Sequence, residues 1–331
     1  MEEFTVPCAE CKAQTAAFKA EGFIVQDCDP HPTKAGMCVL RYMHKSEAKL
    51  ATAAMADVAP LAAPIVSPKR HVNLQVLNLR STPSANSTAN VRRTLVLGQP
   101  VEIIGDQQSG WWPVQLPDGS DRGFVKALID NGNGIGTPSL RLPVGPAREA
   151  LVAEAVRQWE RFKFGQAKET VDPYFKWIGE MWAALGPAHD GRDDIPWSAV
   201  AISFMVRQVS ADHARYKKFK FADSHSKYIH AAIKEAGQAD APFHGFRLFE
   251  HKPQLGDLVA RSRETAITFE QAEASDAFKS HTDIVVAVHA DAVYAIGGNV
   301  SDSVSVTKYP KTESGHLSDA GGVFALLVNN A

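Results

Sequence analysis

Beyond residue 38 the chain has no cysteine: all four, Cys8, Cys11, Cys28 and Cys38, lie near the start of its 331 residues. A thiol nucleophile is therefore excluded from residues 39–331, and whatever the cysteines staple is local. An excess of charge of one sign is missing too. Lys and Arg number 35 against 37 for Asp and Glu, a formal net charge of −2, which leaves no global electrostatic footprint for nucleic acid. No apolar run reaches the about eighteen residues that a membrane-spanning helix needs. The opening "MEEFTVPCAECKAQ" is acidic and lacks the basic and apolar regions of a secretory signal. What is present is an ordinary globular composition, 45% hydrophobic, long enough to bury a core in two or three domains.

Composition shifts divide the chain. Residues 1–45 read as a small cysteine-containing module, with a helix in "CKAQTAAFKAEG" and strands "FIVQDC" and "MCVLRYM" around the turn "DPHPTKAG". So small a module needs a staple. Cys8, Cys11, Cys28 and Cys38, with His31 nearby, are candidate ligands of a structural zinc; disulfides or buried thiols are the alternatives. Residues 46–70 are rich in Ala and Pro, and residues 131–146, "NGNGIGTPSLRLPVGP", are dense in Gly and Pro, so both read as linkers. Between them, residues 71–130 alternate as short strands with turns at Pro83, Gly98, Gly110 and Asp118-Gly119. From residue 147 to 331 helical patterns come first and strands after, an α+β layout with helices packed on an antiparallel sheet.

The middle segment resembles a bacterial SH3 domain, a small β-barrel, in "LNLRSTPS", "GQPVEIIG", "GWWPVQLPDG" and "GFVKALI". That resemblance implies targeting to cell-wall peptides. Of Trp111 and Trp112, one ring is expected in the barrel core and the other beside a groove, where it contacts ligand.

The C-terminal segment resembles the CHAP and NlpC-type cell-wall hydrolases, papain-like amidases and endopeptidases, in "PWSAVAISFMV", "PQLGDLVA", "SHTDIVVAV" and "IGGNVSDSVSV". Carried over by position, Ser198 stands at the nucleophile, His281 at the base and Asn299 at the orienting residue. The sequence departs from the usual pattern in having serine in place of cysteine and Gly297 where many CHAP domains have glutamate. The serine fits a branch of these hydrolases that carries W-S-A and H-x-D-I-V.

A serine hydroxyl does not ionise as a thiol does and must lose its proton as it attacks, so its base needs an acceptor behind it. Asp283, two residues from His281 on one strand, projects to the same face and is a candidate; Asn299 is the other. The start of the helix below Ser198 offers unpaired N–H groups to an oxyanion. Against this stands the commoner role of serine at a helix start, a cap. His225 and Tyr228 share one helix face and, with Trp197, are placed at the rim of the substrate cleft.

Two further patterns are weaker. His281, Asp283 and His225, or His189, Asp190, Asp193 and Asp194 in "AHDGRDD", contain metal-ligand residue types without a tight metalloprotease spacing, so catalysis is expected to need no cofactor. The run "RYKKFKFADSH" mixes cations and aromatics, and reads as a solvated edge more than as a grip on an anionic polymer.

The sequence thus points to a peptidoglycan hydrolase, an amidase or endopeptidase acting on cell-wall peptides through a serine nucleophile. The alternative is an inactive cell-wall-binding protein on a degenerate hydrolase scaffold. The expected partner is peptidoglycan or its stem peptides, with no nucleic acid and no membrane span. The expected place of action is the cell wall or periplasm, or outside the cell by a signal-independent route. For an antibacterial effector or phage-type lysin, secretion machinery or an immunity protein would be further partners.

Overall fold

The computed structural model describes the strands Glu2–Pro7, Phe23–Pro30 and Met37–His44, residue Ala9, and then residues 69–130 and 136–331; before residue 69, side chains are described at Ala9 and Cys38 alone. The chain divides into two compact units, Met1–Ser67 and Pro68–Ala331.

In the first unit β1 (Glu2–Pro7), β2 (Phe23–Pro30) and β3 (Met37–His44) form an antiparallel sheet in the order β1-β3-β2. β2 and β3 match the expected strands. β1 was not foreseen, although "EFTV" alternates with period two. Cys38 is buried and disulfide-bonded. A sulfur in a disulfide is not the thiolate a zinc site requires, so at Cys38 the structure takes the disulfide in place of the zinc. The side chains of Cys8, Cys11 and Cys28, and the expected helix in residues 11–22, lie outside the described residues.

The second unit begins with a seven-stranded barrel-like sheet. Its strands are β4 (Lys69–Val72), β5 (Val76–Arg80), β6 (Val91–Val96), β7 (Pro100–Ile103), β8 (Trp111–Gln115), β9 (Arg122–Lys126) and β12 (Leu140–Arg141), in the order β12-β4-β7-β8-β9-β5-β6. β10 (Leu128–Asp130) and β11 (Gly136–Pro138) pair beside it. Leu77 and Leu79, alternate residues of β5, meet Val72, Leu95, Val101, Val114 and Val125 in the barrel core, as period-two burial requires. The stretch 136–141 is therefore part of the barrel and not a linker: Leu140 and Arg141 pair with Val72 and His71. Proline and glycine at a sheet edge mimic a linker in composition.

Contacts with the rest of the unit fasten the barrel, among them the 2.8 Å hydrogen bond between His289 Nε2 and Asn73 O. Leu97, at the turn after β6, packs in the core of the helical layer. Arg141 holds Glu149 through both guanidinium nitrogens at 2.6 and 3.0 Å. Burial raises the Glu149 carboxyl, but the Arg141 hydrogen bond and the Val144 N–H outweigh it and hold it low.

Helices α1 (Pro146–Arg161), α2 (Tyr174–Ala183), α3 (Ser198–Ser210), α4 (His225–Lys234) and α5 (Phe269–Ala274) accompany an antiparallel sheet of β13 (Phe243–Phe246), β14 (Leu258–Ser262), β15 (Ser280–Val288), β16 (Ala292–Gly297), β17 (Ser305–Pro310) and β18 (Val323–Asn329). Its order is β13-β18-β14-β15-β16-β17. Ile284 and Val286 of β15 pack with the helices. Val285 faces the opposite layer, with Val259, Val293 and Tyr309. This is the α+β arrangement expected, with both faces of the central strand covered.

Asp257, fully buried just before β14, ties the layers together. It accepts from Arg148 of α1 at 2.8 Å, from the Asn329 N–H at 2.9 Å and from the Gln254 N–H at 2.7 Å. Burial pushes its carboxyl up to about 6, against the pull of Arg148 and the two N–H groups. The folded value lies above the unfolded one of 3.8, so ionising Asp257 costs the folded state stability as pH rises through that interval. Removing Arg148 leaves a buried charge unpaired. Arg148→Ala is therefore expected to lower the unfolding free energy by about 3 kcal/mol at pH 8, and by less at pH 5, where Asp257 takes up a proton. Denaturant melts at the two pH values check this.

Candidate active site

Two helices begin at one place. Ser198 is the first residue of α3, after Pro196 and Trp197, and His225 is the first residue of α4, after Ser224. Neither helix start is capped by a side chain. The Ser198 hydroxyl instead lies 2.7 Å from His225 Nε2. A serine engaged with an imidazole is not capping its own helix, and this separates the two roles open for Ser198 in the sequence.

Behind the ring, His225 Nδ1 meets Thr282 Oγ1 at 2.9 Å and also hydrogen-bonds the Tyr228 hydroxyl. Tyr228 and Thr282 are themselves 2.8 Å apart. Tyr228 lies three residues beyond His225, on the same face of α4. His225 and Tyr228, expected at a substrate rim, are both buried in this polar chain. Burial holds the His225 imidazole well below its usual range, and electrostatic repulsion from His281, Arg263 and Arg261 acts in the same direction. Burial raises the Tyr228 phenol well above its usual range, so both groups stay neutral near neutral pH.

His281 makes a different pair. Its Nε2 lies 2.7 Å from Asp283 Oδ1, and Tyr309 donates to Asp283 Oδ2. Burial opposes ionisation of Asp283, but the charge and hydrogen bond of His281 and the bond from Tyr309 outweigh it, leaving the carboxyl below its usual value. The two histidine rings are 5.1 Å apart between centroids. The expected partner of Ser198 was His281, and among the described residues no hydrogen bond joins them. Strand alternation explains this: Ile284 and Val286 face the helices, so Thr282 does too, whereas Asp283 turns to Tyr309 in the opposite layer.

The remaining expected residues fall elsewhere. Asn299 sits in a left-handed turn at φ 54°, and among the described residues its side chain makes no hydrogen bond to either histidine. Trp197 is core, stacked on Phe162 at 5.9 Å and donating from Nε1 to Glu169 at 2.6 Å. On the barrel, Trp112 packs against the core, and Trp111, although mostly buried, lines a groove with Leu74, Leu77 and Lys126. Among the described residues no group of three His, Cys, Asp or Glu is placed to hold a metal ion. In "AHDGRDD", Asp190 pairs with Arg192 and His189 with Asp193. The run from Arg215 is an edge: Tyr216 and Phe219 are buried and Lys218 pairs with Asp240.

Ser198 and His225 line a cleft of about 300 Å³ together with Pro196, Asp223, Arg263 and Phe278. Sequence reasoning missed Thr282, Tyr309 and Arg263. No pattern in the sequence singled out Thr282, because "DIVVAV" is apolar without a break and both faces of its strand are buried.

Residues 157–326, slightly more than half of the chain, match the family model described as "Uncharacterized protein conserved in bacteria (DUF2272)". Residues 75–130 match the model of a bacterial SH3 domain, as expected. No curated protein matches. Solved structures similar to the chain include NlpC2 from Trichomonas vaginalis, at 10% identity with 93% of this chain and 82% of that one covered and a TM-score of 0.25. NlpC1 from the same organism is 9% identical over 89% of this chain and 76% of that one, with a TM-score of 0.24.

Gly297 faces Asp283 so closely that a β-carbon there would lie 1.7 Å from Oδ1 and 3.1 Å from His281 Nε2. A glutamate, usual here in the resembled hydrolases, has no room. Gly297→Ala is expected to cost about 1–3 kcal/mol as an overpacked core, read as a lowered melting temperature, and an unchanged melt would contradict the packing described.

Proposed function

Given that the chain belongs to the DUF2272 family and carries a bacterial SH3 domain, we propose that it is a peptidoglycan hydrolase that cuts an amide of the cell-wall peptide with Ser198 as nucleophile. The observation that supports this most is the 2.7 Å contact between Ser198 Oγ and His225 Nε2 at the floor of an open cleft. The likeness of "PWSAVAISFMV", "GDLV" and "HTDIVV" to the CHAP and NlpC-type enzymes supports the same reaction class. The SH3 domain supports cell-wall peptide as the target.

In this reading His225, in place of His281, is the base. With its proton on Nδ1 and directed to Thr282 or Tyr228, neutral His225 takes the Ser198 proton on Nε2 as Oγ bonds to the carbonyl carbon. The oxygen that gains charge meets the N–H groups of Ser198 and Ala199, which have no intrahelical acceptor in the first turn. The tetrahedral adduct collapses as Nε2–H protonates the leaving amine, and an acyl-serine ester remains. Water, deprotonated by the same nitrogen, releases the acid and restores the serine.

His281, Asp283 and Tyr309 lie behind this unit as a second polar group, 5.1 Å from the base. Electrostatic repulsion from His281 disfavours a proton on His225. A second reading, a wall-binding protein without catalysis, draws on one observation: hydroxyls, not a carboxylate, stand behind the ring that faces Ser198.

Digestion of purified peptidoglycan, with released fragments identified by mass, tests the proposal. Ser198→Ala and His225→Gln are each expected to reduce release by at least about a hundredfold, whereas His281→Gln is expected to leave a measurable rate. Binding without fragments from the unaltered protein would support the second reading.

The base must be neutral to accept a proton, and burial keeps His225 neutral below its ordinary value of 6.5. The acid limb of kcat/KM is therefore expected well below pH 6.5, and a limb centred near 6.5 would contradict His225 as the base.

A further inference from the structure

The cleft holds a cation that the proposed reaction does not use. Arg263 follows β14, is exposed and lines the same cleft as Ser198 and His225. Among the described residues its guanidinium has no ion pair and no hydrogen bond. Its neighbours are already satisfied: Lys279, also on the cleft, is paired with Glu264 at 2.6 Å.

The backbone holds Arg263 where it is. The Arg263 N–H donates to Lys279 O at 3.1 Å, and the Thr265 N–H returns to Arg263 O at 2.9 Å. Between them Glu264 adopts φ 66°, a conformation that residues with a β-carbon seldom take. The Lys279 ion pair fastens that turn from outside. The result is a tight loop with its arginine on the cleft wall and, among the described residues, nothing to neutralise it. Its charge acts on the buried His225 ring, in keeping with its place on the cleft wall. Of the two acidic residues of the cleft, Glu264 is paired with Lys279 and Asp223 comes from the segment before α4, and neither is hydrogen-bonded to Arg263.

An unpaired guanidinium presents a planar fork of N–H donors that fits a carboxylate through two parallel hydrogen bonds. We propose that Arg263 is a specificity-determining residue that receives a free carboxylate of the substrate peptide beside the scissile amide, so that the preferred substrate is an acidic peptide in its carboxylate form and not in its amidated form. This deepens the hydrolase reading and rests on it for the word substrate; the binding itself does not need Ser198 to react.

The test is calorimetric binding to the Ser198→Ala protein of two short synthetic stem-type peptides, alike except that one carries a free carboxylate next to the scissile amide and the other a carboxamide there. A charge-assisted contact is expected to make the acid bind about tenfold tighter. In the same background Arg263→Gln is expected to erase the preference by weakening the acid peptide alone, and Arg263→Lys to restore part of it. Arg263 is exposed, so these variants are expected to fold, with equal melting temperatures as the control. Equal affinities for the two peptides, a preference that survives Arg263→Gln, or no binding of either peptide overturns the inference. Failure of the digestion experiment with the acid preference intact would remove the catalytic reading and leave this site standing.

Discussion

A 2.7 Å hydrogen bond between the first residues of two helices, Ser198 of α3 and His225 of α4, is the contact on which the cleft depends. Each helix start carries backbone N–H groups with no intrahelical acceptor. Neither side chain is spent on capping. Both residues are almost wholly buried, so their polar atoms must find partners inside the protein, and the chain Ser198, His225, then Tyr228 and Thr282, supplies them. Because every member is hydrogen-bonded, the ring is fixed in orientation before any ligand arrives, which is what a positioned base requires.

The surroundings make His225 a weak base. Among the described residues no carboxylate touches it, and electrostatic repulsion from His281, Arg263 and Arg261 disfavours a proton on the ring. A carboxylate behind the imidazole would stabilise the protonated ring; hydroxyls orient it with less stabilisation. Of the two rings, the one in contact with a carboxylate is His281, which Asp283 holds in the next layer of the fold. The arrangement divides the two roles between two histidines, one facing the serine and one facing the acid.

Much of this was legible in the sequence. The barrel followed from alternation and turn residues between 71 and 130, and helix α3 from its polar entry loop and apolar run. The pairing of His225 with Tyr228 followed from their three-residue spacing. Which histidine meets Ser198 did not follow. "SHTDIVVAV" offers His281 and Asp283 at the same face, but which face looks at α3 is decided by where Ile284 and Val286 pack, and the continuous apolar run of a strand buried on both sides hides that period. Position 297 was also unreadable, because the clash that demands glycine comes from a neighbouring strand. The strand character of 136–141 was masked by glycine and proline, and the disulfide at Cys38 by the several pairings that four cysteines allow.

Labelling with a fluorophosphonate probe, followed by mass identification of the modified peptide, tests most directly whether Ser198 is activated by His225. The account predicts a phosphonyl adduct on Ser198 that is lost in His225→Gln and retained in His281→Gln. No adduct on Ser198, or an adduct that survives His225→Gln and disappears in His281→Gln, would contradict it.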